Sequence, residues 1–236
     1  MLLRQIFHGE LPQLVMFDLD GTLVDSVPDI AVAVDEMLTG LNKPLAGVEK
    51  TSYWIGNGVP VLVQRALRDA SYEEHDIDFD SEFYRDQLEV FSKAYDASCG
   101  KYCELYDGVV DCLEGLKALN VPLAIITNKS ERFTHDLLQS LNLEHYFGMV
   151  ICGDTLKDDL GHVIRKPDPA ALLHVVDHYQ AQPAQVLMVG DSRHDIHAAK
   201  AVGILSLAVP YGYNHGEPIE QFDPDYLVPS LAELVQ

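Results

Sequence analysis

The sequence predicts an α/β protein with a doubly wound, Rossmann-like parallel-sheet core and an inserted all-helical subdomain. Short, continuously apolar runs recur along the chain, as expected of strands that are buried on both faces of a parallel sheet. Helical patterns separate most of these runs, and this alternation is typical of parallel α/β folds. The interval between residues 20 and 121 is the exception, because it contains amphipathic helical patterns and little that reads as a strand.

Each element follows from a particular run. The predicted strands are LVMFDL (14–19), PLAIITN (122–128), MVICGD (149–154), VLMVGD (186–191) and LSLAVP (205–210). The predicted helices between the later strands are VVDCLEGLKALN (109–120), ERFTHDLLQSLN (131–142), PAALLHVVDHY (169–179) and HDIHAAKAV (194–202). Residues 27–98 are predicted to form the inserted helical subdomain, on the patterns IAVAVDEML, PVLVQRALRDA and SEFYRDQLEVFSKAYDA. Residues 1–26 and 99–236 then form the α/β core.

The composition limits the classes of partner. The 236 residues include 16 basic and 37 acidic ones, and the formal net charge is −21. Such a surface repels phosphate backbones, so nucleic acid is not an expected partner, and a small anionic substrate needs local positive charge or a metal. No run approaches the length of a membrane span, and the N-terminus lacks the pattern of a signal peptide. We therefore expect a cytoplasmic protein without a membrane partner, as a monomer or a small homo-oligomer.

The cysteines are consistent with a reducing compartment. They are Cys99, Cys103, Cys112 and Cys152, and they form neither a zinc-site spacing nor a dense disulfide framework. Cys99 and Cys103 could meet on one face of a helix, but plain thiols are the simpler interpretation.

Polar residues of chemical interest stand at corresponding places in separate strand–helix units. Asp18 and Asp20 end the first predicted strand, Thr127 and Asn128 end the second, and Asp191 ends the run VLMVGD. Ligands of open parallel sheets bind in the crevice beyond the carboxyl ends of the strands, so these residues are predicted to converge.

Two further charged residues are predicted to approach the same crevice. Lys166, in RKPDP, lies just before a predicted helix, and Asp195 lies in the first turn of another. The site then holds several carboxylates, whose mutual repulsion would raise their pKa values. A hard divalent cation removes that conflict, and aspartates without histidine or cysteine neighbours favour Mg²⁺ over zinc.

These residue types suit phosphoryl transfer. A carboxylate beside a metal can attack phosphorus and form an aspartyl-phosphate, and a second carboxylate two residues away can protonate the leaving oxygen and then activate water. The amides of Gly21 and Thr22, with the Thr127 hydroxyl and the Lys166 ammonium, are candidates to stabilise the phosphoryl oxygens. All the parts of a phosphomonoester hydrolase are therefore present in the sequence.

Taken one at a time, the motifs have ordinary interpretations. DLDG alone is often an Asx-Gly turn or half of a calcium loop. Thr127 alone reads as a strand-end hydroxyl, Lys166 alone as a solvated lysine, and HDIH (194–197) as a pair of helix-surface histidines. Only the joint pattern, in order and at matching strand ends, favours a site over these interpretations.

At this point the chain resembles a known family. The motifs are DLDGT (18–22), the threonine of ITN, the lysine of KPDP and GDSRHD (190–195). As a set they are similar to the four motifs of the haloacid dehalogenase-like hydrolase superfamily, and the match covers nearly the whole chain. The resemblance implies that Asp18 is the nucleophile and Asp20 the general acid/base, and that Thr127 and Lys166 bind phosphate.

The resemblance also implies a metal site and a mobile cap. Mg²⁺ would be held by a side-chain oxygen of Asp18, the backbone carbonyl of Asp20, and Asp191, with Asp195 supporting the metal site or Lys166. The helical insertion resembles the cap of that superfamily, which closes over the substrate and excludes water until the phosphoryl group has moved.

Within the superfamily, four stretches look like the bacterial phosphoglycolate phosphatases. They are LVDSVPDI (23–30), WIGNGVPVLVQRAL (54–67), GDTL (153–156) with KPDP, and YGYNHGEPI (211–219). The resemblance implies hydrolysis of 2-phosphoglycolate. One stretch departs from it, because KDDLGHVI (157–164) is longer than expected and borders the lysine loop.

One loop and one arginine of the cap are candidates to contact the substrate. The loop Gly56-Asn57-Gly58 would allow close backbone approach to a small substrate. Arg65 is a candidate partner of the substrate carboxylate, and a solvated helix arginine is an equally good interpretation.

Other functions share these motifs. A phospho-receiver module also uses a strand-end aspartate with threonine, lysine and Mg²⁺, but it needs neither Asp20 nor a cap. A phosphatase for another small phosphate ester, a pyrophosphatase or a phosphosugar mutase on the same scaffold has the same motifs, since specificity lies in the cap. A dehalogenase is disfavoured, because that chemistry requires neither Asp20 nor a metal.

Overall fold

The computed structural model describes residues 1–69 and 80–236. The strands are β1 (Leu14–Phe17), β2 (Val24–Asp25), β3 (Glu104–Leu105), β4 (Leu123–Ile126), β5 (Met149–Ile151), β6 (Val186–Gly190), β7 (Leu205–Ala208) and β8 (Tyr226–Leu227). The α-helices are α1 (Leu2–Ile6), α2 (Val27–Gly40), α3 (Gly47–Trp54), α4 (Val59–Asp69), α5 (Glu82–Ser98), α6 (Val109–Ala118), α7 (Glu131–Ser140), α8 (Ala170–Tyr179) and α9 (Arg193–Val202). Short 3₁₀ helices cover Glu144–Tyr146, Pro183–Gln185, Asn214–Gly216, Ile219–Phe222 and Leu231–Leu234.

A six-stranded sheet is the centre of the molecule, with the strand order β5-β4-β1-β6-β7-β8. Its neighbouring strands are all parallel. The chain runs outward from β1 to β4 and β5, and then returns to the other side of β1 for β6, β7 and β8. The topological switch point therefore lies at β1, where a ligand crevice is expected. This architecture confirms the predicted fold class.

Helices cover both faces of the sheet because the strands alternate their side chains between the faces. On one face Val15 and Phe17 pack with α6 and α7. On the other face Leu14 and Met16 pack with α8 and α9. Every residue of β1, β4 and β6 is buried, which is why their sequences are continuously apolar.

The helices α2 to α5 pack around a separate hydrophobic core. Val34, Met37, Leu67 and Phe91 are fully or almost fully buried there, and Phe133 of α7 joins the same cluster. Pro28 stands in the first turn of α2, where the missing amide hydrogen is not needed. The α4 pattern ends one residue beyond Asp69, and that residue lies outside the described ranges.

A short antiparallel pair of strands, β2 and β3, lies where the chain leaves the sheet core for this insertion and where it returns. Val24 pairs with Leu105 and Asp25 with Glu104. The sequence did not predict β2 and β3, so the interval after β1 is not purely helical. Two-residue strands have no periodicity to detect, and the pair depends on a contact between distant parts of the chain.

The stretch 157–164 forms a small hairpin. Lys157 and Val163 make an antiparallel bridge, and the Asp158 side chain accepts hydrogen bonds from the amides of Leu160 and His162 at 2.9 and 2.8 Å. Leu160 is 82% exposed at its tip, so the hairpin projects outward.

Two further sequence predictions concern cysteines and membranes. The four cysteines are free thiols. Within the described ranges, no helix has the length and apolar character that crossing a bilayer requires.

Candidate active site

The loop after β1 fixes Asp18 at the switch point. The Asp18 amide donates to the carbonyl of Val189 on β6 at 2.9 Å, which extends the sheet by one residue. The side-chain Oδ1 accepts hydrogen bonds from the Leu19 amide at 2.7 Å and from Lys166 Nζ at 2.8 Å. These contacts fix the carboxylate and leave Oδ2 outside both of them.

Lys166 is held between two carboxylates. Its Nζ lies 2.8 Å from Asp18 Oδ1 and 2.6 Å from Asp195 Oδ1, and the lysine is 3% exposed. Burial alone would lower the pKa of Lys166, but the charges of Asp18 and Asp195 outweigh that effect and raise it. The ammonium therefore stays charged.

Both carboxylate oxygens of Asp195 contact other residues of the chain. Its Oδ2 accepts from the amide of Ser192 at 3.1 Å and from the hydroxyl of Ser192 at 2.8 Å, in the capping box that begins α9. Since its other oxygen contacts Lys166, Asp195 serves here mainly as the anchor of that lysine.

Asp191 is held from three sides. The Thr22 hydroxyl donates to Oδ1 at 2.9 Å, and the Tyr213 amide donates to Oδ2 at 2.8 Å. Two glycines pack directly against the carboxylate: a Cβ at Gly21 would lie 2.3 Å from Oδ2, and one at Gly212 would lie 2.2 Å from the Asp191 Cβ. Any larger residue at these positions would displace Asp191.

The acidic cluster fits a hard divalent cation. One oxygen from each of Asp18, Asp191 and Asp195 can be chosen so that all three lie within 4.8 Å of one another. Burial, together with the neighbouring carboxylates, raises the pKa of Asp18 to about 7 and that of Asp191 to about 8, although Lys166 opposes the shift at Asp18. Burial is the largest cause of both shifts, and repulsion from the neighbouring carboxylates adds to it. A hard divalent cation such as Mg²⁺ would favour the ionised carboxylates, and it takes oxygen donors of this kind.

Thr127 and Asn128 follow β4, as predicted. The Thr127 amide donates to the Ile151 carbonyl at 2.9 Å, so the residue continues the sheet toward the crevice. The Asn128 amide nitrogen Nδ2 donates to the carbonyl of Gly56 in the insertion at 2.8 Å and to the carbonyl of Lys166 at 3.0 Å. One side chain thus links the insertion to the lysine loop.

Two amides that were predicted to stabilise phosphoryl oxygens donate instead within the turn that follows β1. The Gly21 amide donates to Val24 at 2.9 Å, and the Thr22 amide donates to Leu19 at 3.3 Å. Thr22 is fully buried. Its hydroxyl contributes to the site by holding Asp191, not by facing the crevice.

The insertion loop Gly56-Asn57-Gly58 contacts the sheet core directly. Asn57 Nδ2 lies 3.0 Å from His194 Nε2. Arg65 donates to the Trp54 carbonyl and to Asn57 Oδ1, both at 2.8 Å. Arg65, predicted as a partner of the substrate carboxylate, is therefore engaged in shaping this loop. Burial lowers the pKa of His194 to about 4, so its ring is neutral and can accept the Asn57 hydrogen bond.

A small cavity of about 50 Å³ lies between the insertion and the carboxyl ends of the strands. Its polar end is lined by Asp18, Asp20, Thr127, Asn128 and Lys129. Its apolar wall comes from Ile30, Ile55, Val59, Leu62, Phe91 and Tyr95 of the insertion. The cavity brings the predicted nucleophile and acid/base residues to one surface.

Lys129 is a site residue that the sequence analysis missed. It is 6% exposed, and its Nζ lies 3.0 and 3.2 Å from the two carboxylate oxygens of Asp20. The same Nζ donates to the Tyr95 hydroxyl at 2.5 Å. A lysine between a strand end and a helix reads as a surface residue in sequence, and only its position directly after ITN hints at the crevice.

Tyr213 is a second missed residue. Besides holding Asp191 through its amide, its hydroxyl donates to Asp25 Oδ1 at 2.7 Å and accepts from the Ser26 amide at 2.9 Å. The loop after β7 therefore braces both the acidic site and the start of the insertion.

Comparison with known proteins gives one family. The family model of the haloacid dehalogenase-like hydrolases matches residues 15–209. A phosphoglycolate phosphatase of Pseudomonas savastanoi pv. phaseolicola is 47% identical over 98% of this chain and 82% of its own length. Phosphoglycolate phosphatase 1 of Pseudomonas aeruginosa is 49% identical over 97% of this chain and 80% of its own length.

Solved structures of related proteins have the same fold as this chain. The crystal structure of a predicted phosphoglycolate phosphatase from Haemophilus somnus superposes with a TM-score of 0.83 at 34% identity, over 94% of this chain and 96% of that one. CbbY of Rhodobacter sphaeroides, solved in complex with phosphate, has a TM-score of 0.75 at 21% identity, over 95% of this chain and 96% of that one, and so shares the fold.

Proposed function

The chain belongs to the haloacid dehalogenase-like hydrolase family and is a phosphoric monoester hydrolase of that family, and we propose that it converts 2-phosphoglycolate to glycolate and phosphate. The observation that carries the proposal is the pairing of Asp18 and Asp20 on one cavity. Asp18 is held by Lys166, and Asp20, two residues on, faces the same space. The names of relatives at 47% and 49% identity support the choice of substrate.

We propose that the reaction depends on Mg²⁺ held by Asp18, Asp191 and the backbone carbonyl of Asp20. Asp195 is not included, because its charge is already paired with the Lys166 ammonium and its other oxygen accepts from Ser192. Asp191 accepts only from the neutral donors Thr22 and Tyr213, so its charge is left for the cation. When bound, the cation would offset the charge of the transferring phosphoryl oxygens and orient them.

The first chemical step is assigned to Asp18. Its Oδ2 attacks phosphorus, the bond from phosphorus to the ester oxygen breaks, and an aspartyl-phosphate forms. Asp20 gives its proton to the departing glycolate oxygen. Lys166 and the Thr127 hydroxyl stabilise the phosphoryl oxygens. The Asp20 amide donates to no other residue within the described ranges, so it is a better candidate for this role than the amides of Gly21 and Thr22.

The second step returns the enzyme to its starting state. Asp20, now a carboxylate, takes a proton from water, and the oxygen of that water attacks the phosphorus of the aspartyl-phosphate. Phosphate leaves, and Asp18 is regenerated. The apolar insertion residues over the cavity would exclude other water during the first step.

The variant Asp18→Asn tests the nucleophile. The substitution keeps the size of the side chain but removes the attacking carboxylate, so kcat should fall by about 1000-fold or more while thermal unfolding shows an intact fold. Substantial Mg²⁺-dependent turnover in this variant would contradict the mechanism. A long-lived phosphate on Asp18 of the wild type, without turnover, would instead favour a receiver module.

A substrate panel tests the choice of ester. Steady-state kcat/KM should be higher for 2-phosphoglycolate than for hexose phosphates and pyrophosphate. If sugar phosphates rank well above it, the enzyme is another phosphatase or a mutase of the same family, and the mechanism stands while the substrate does not.

A further inference from the structure

We propose that Lys129, together with the Tyr95 hydroxyl, recognises the carboxylate of the substrate. The inference rests on the proposed function, because it explains how a phosphatase with this site selects an ester that carries a carboxylate. It replaces Arg65 in that role.

Lys129 is fixed in the wall of the cavity. Its amide donates to the Thr127 hydroxyl at 3.1 Å, and its carbonyl accepts from the Gly153 amide at 2.7 Å. The backbone is therefore held at the end of β4, and the ammonium reaches across to Asp20 and to Tyr95 on α5 of the insertion. The side chain is only 3% exposed.

The positions of the cations around the cavity also favour Lys129 as the carboxylate-binding residue. Among the described residues that line the cavity, Lys129 is the only cation, and its ammonium contacts the carboxylate of Asp20. The Lys166 ammonium is shared between two carboxylates, Asp18 and Asp195, whereas the Lys129 ammonium has one carboxylate partner, Asp20. The Arg65 guanidinium is bound to Trp54 and Asn57, and Arg65 does not line the cavity. A substrate that brings both a phosphate and a carboxylate needs one more cation, since a buried anion without a partner is strongly disfavoured.

The chemistry of the ester places its carboxylate near this ammonium. In 2-phosphoglycolate a single methylene separates the ester oxygen from the carboxylate carbon. Asp20, the proposed proton donor, must meet that ester oxygen, and Lys129 Nζ lies 3.0 Å from Asp20 Oδ1. A cation bound to the acid is thus within reach of a carboxylate that is one methylene from the leaving oxygen.

Tyr95 supplies a second donor. Its hydroxyl accepts a hydrogen bond from Lys129 at 2.5 Å, and its own hydrogen is donated to the Cys99 thiol, a weak acceptor that a carboxylate would replace. Tyr95 lines the same cavity, at the insertion side. The ammonium and the hydroxyl together form a two-point site for a carboxylate, contributed by both parts of the chain.

The test compares two esters that differ in the carboxylate alone. For Lys129→Met, kcat/KM should fall by about 100-fold on 2-phosphoglycolate and by less than about 5-fold on 2-hydroxyethyl phosphate, in which an uncharged hydroxymethyl group replaces the carboxylate, since the lost interaction is with a charged group. The inhibition constant of glycolate should also rise by about 100-fold, while that of inorganic phosphate should stay unchanged. Tyr95→Phe, which keeps the ring, should show the same selectivity with a loss of about 10-fold.

The matched control is Lys93→Met, which removes a lysine from the same helix as Tyr95 at a position whose side chain is 71% exposed. Its kinetics should equal those of the wild type on both esters. Equal losses on both esters in Lys129→Met and in Tyr95→Phe, with glycolate inhibition unchanged, would overturn the inference and show that the pair only positions Asp20. A wild type that hydrolyses both esters equally well would refute the inference and the proposed substrate together, and would leave the phosphatase mechanism standing.

Discussion

Asp18 and Asp20 stand two residues apart, but their contacts differ. Asp18 contacts Lys166 and the Leu19 amide, and it belongs to the acidic cluster. Asp20 contacts Lys129 and is absent from that cluster. The two neighbouring carboxylates therefore sit against different lysines, which supports different proposed tasks for them.

The variant Asp20→Asn tests this division of labour. The amide cannot protonate the leaving oxygen or activate water, so kcat should fall by about 100- to 10,000-fold. The aspartyl-phosphate should accumulate, as detected by mass spectrometry of the intact protein after rapid acid quenching. Mg²⁺ affinity, measured by calorimetry, should change little, because the proposed ligand at this residue is the backbone carbonyl. A large loss of Mg²⁺ affinity without any phosphoenzyme would contradict the assignment.

The sequence was informative about the residues that end predicted strands. Asp18, Thr127 and Asp191 were found because the carboxyl ends of parallel strands must meet at one edge of the sheet. Lys129 and Tyr213 were missed because their importance depends on contacts with residues that are distant in sequence, such as Asp20 and Asp25. Arg65 was proposed for its charge alone, and charge does not reveal which carbonyl the side chain will find.

At the scale of elements, the sheet was predictable and the link to the insertion was not. Continuous apolar runs marked β1, β4 and β6, since both faces of these strands are buried. The pair β2–β3 left no such pattern. The structural role of Asp29 also left no sequence pattern. This fully buried residue of α2 accepts hydrogen bonds on its carboxylate from the amides of Gly100 and Tyr102 at 2.7 and 2.6 Å.

Asp29 is predicted to hold together the two places where the chain leaves the sheet core and returns to it. Asp29→Ala should lower the free energy of unfolding by about 2–4 kcal/mol, because it leaves two amides without their charged acceptor. Urea denaturation measures the loss. The control is Asp35→Ala on the same helix, since Asp35 also accepts from two amides, those of Ala46 and Gly47, but is only half-buried. Equal losses in the two variants would contradict the special role of Asp29.

At the scale of the whole molecule, acidity and metal binding are linked. The pKa values of Asp18 and Asp191, about 7 and about 8, lie above the 3.8 of an ordinary aspartate. The folded chain therefore binds these protons more tightly than the unfolded chain, and the contribution of these groups to stability is greatest below about pH 4 and falls as the pH rises to about 8. The proposed cation would replace the protons and so offset the loss of stability at high pH.

Mg²⁺ should consequently stabilise the protein more at high pH. The increase in Tm on adding Mg²⁺ should be larger at pH 8.5 than at pH 6, as measured by calorimetry with the same metal concentration. In Asp191→Asn the increase should be much smaller at both values. An increase in the wild type that does not depend on pH would show that the metal does not bind at this cluster.

The two hydrogen bonds of Asn128 constrain how the enzyme can be altered. One amide group holds the Gly56 carbonyl of the insertion and the Lys166 carbonyl of the lysine loop. The proposed closure over the substrate and the placement of Lys166, the proposed phosphate ligand, therefore depend on the same amide group. Substitution at residue 128 would change substrate retention and turnover together, so an engineer who wants a faster-opening variant with the same chemistry must work elsewhere, at Asn57 or His194.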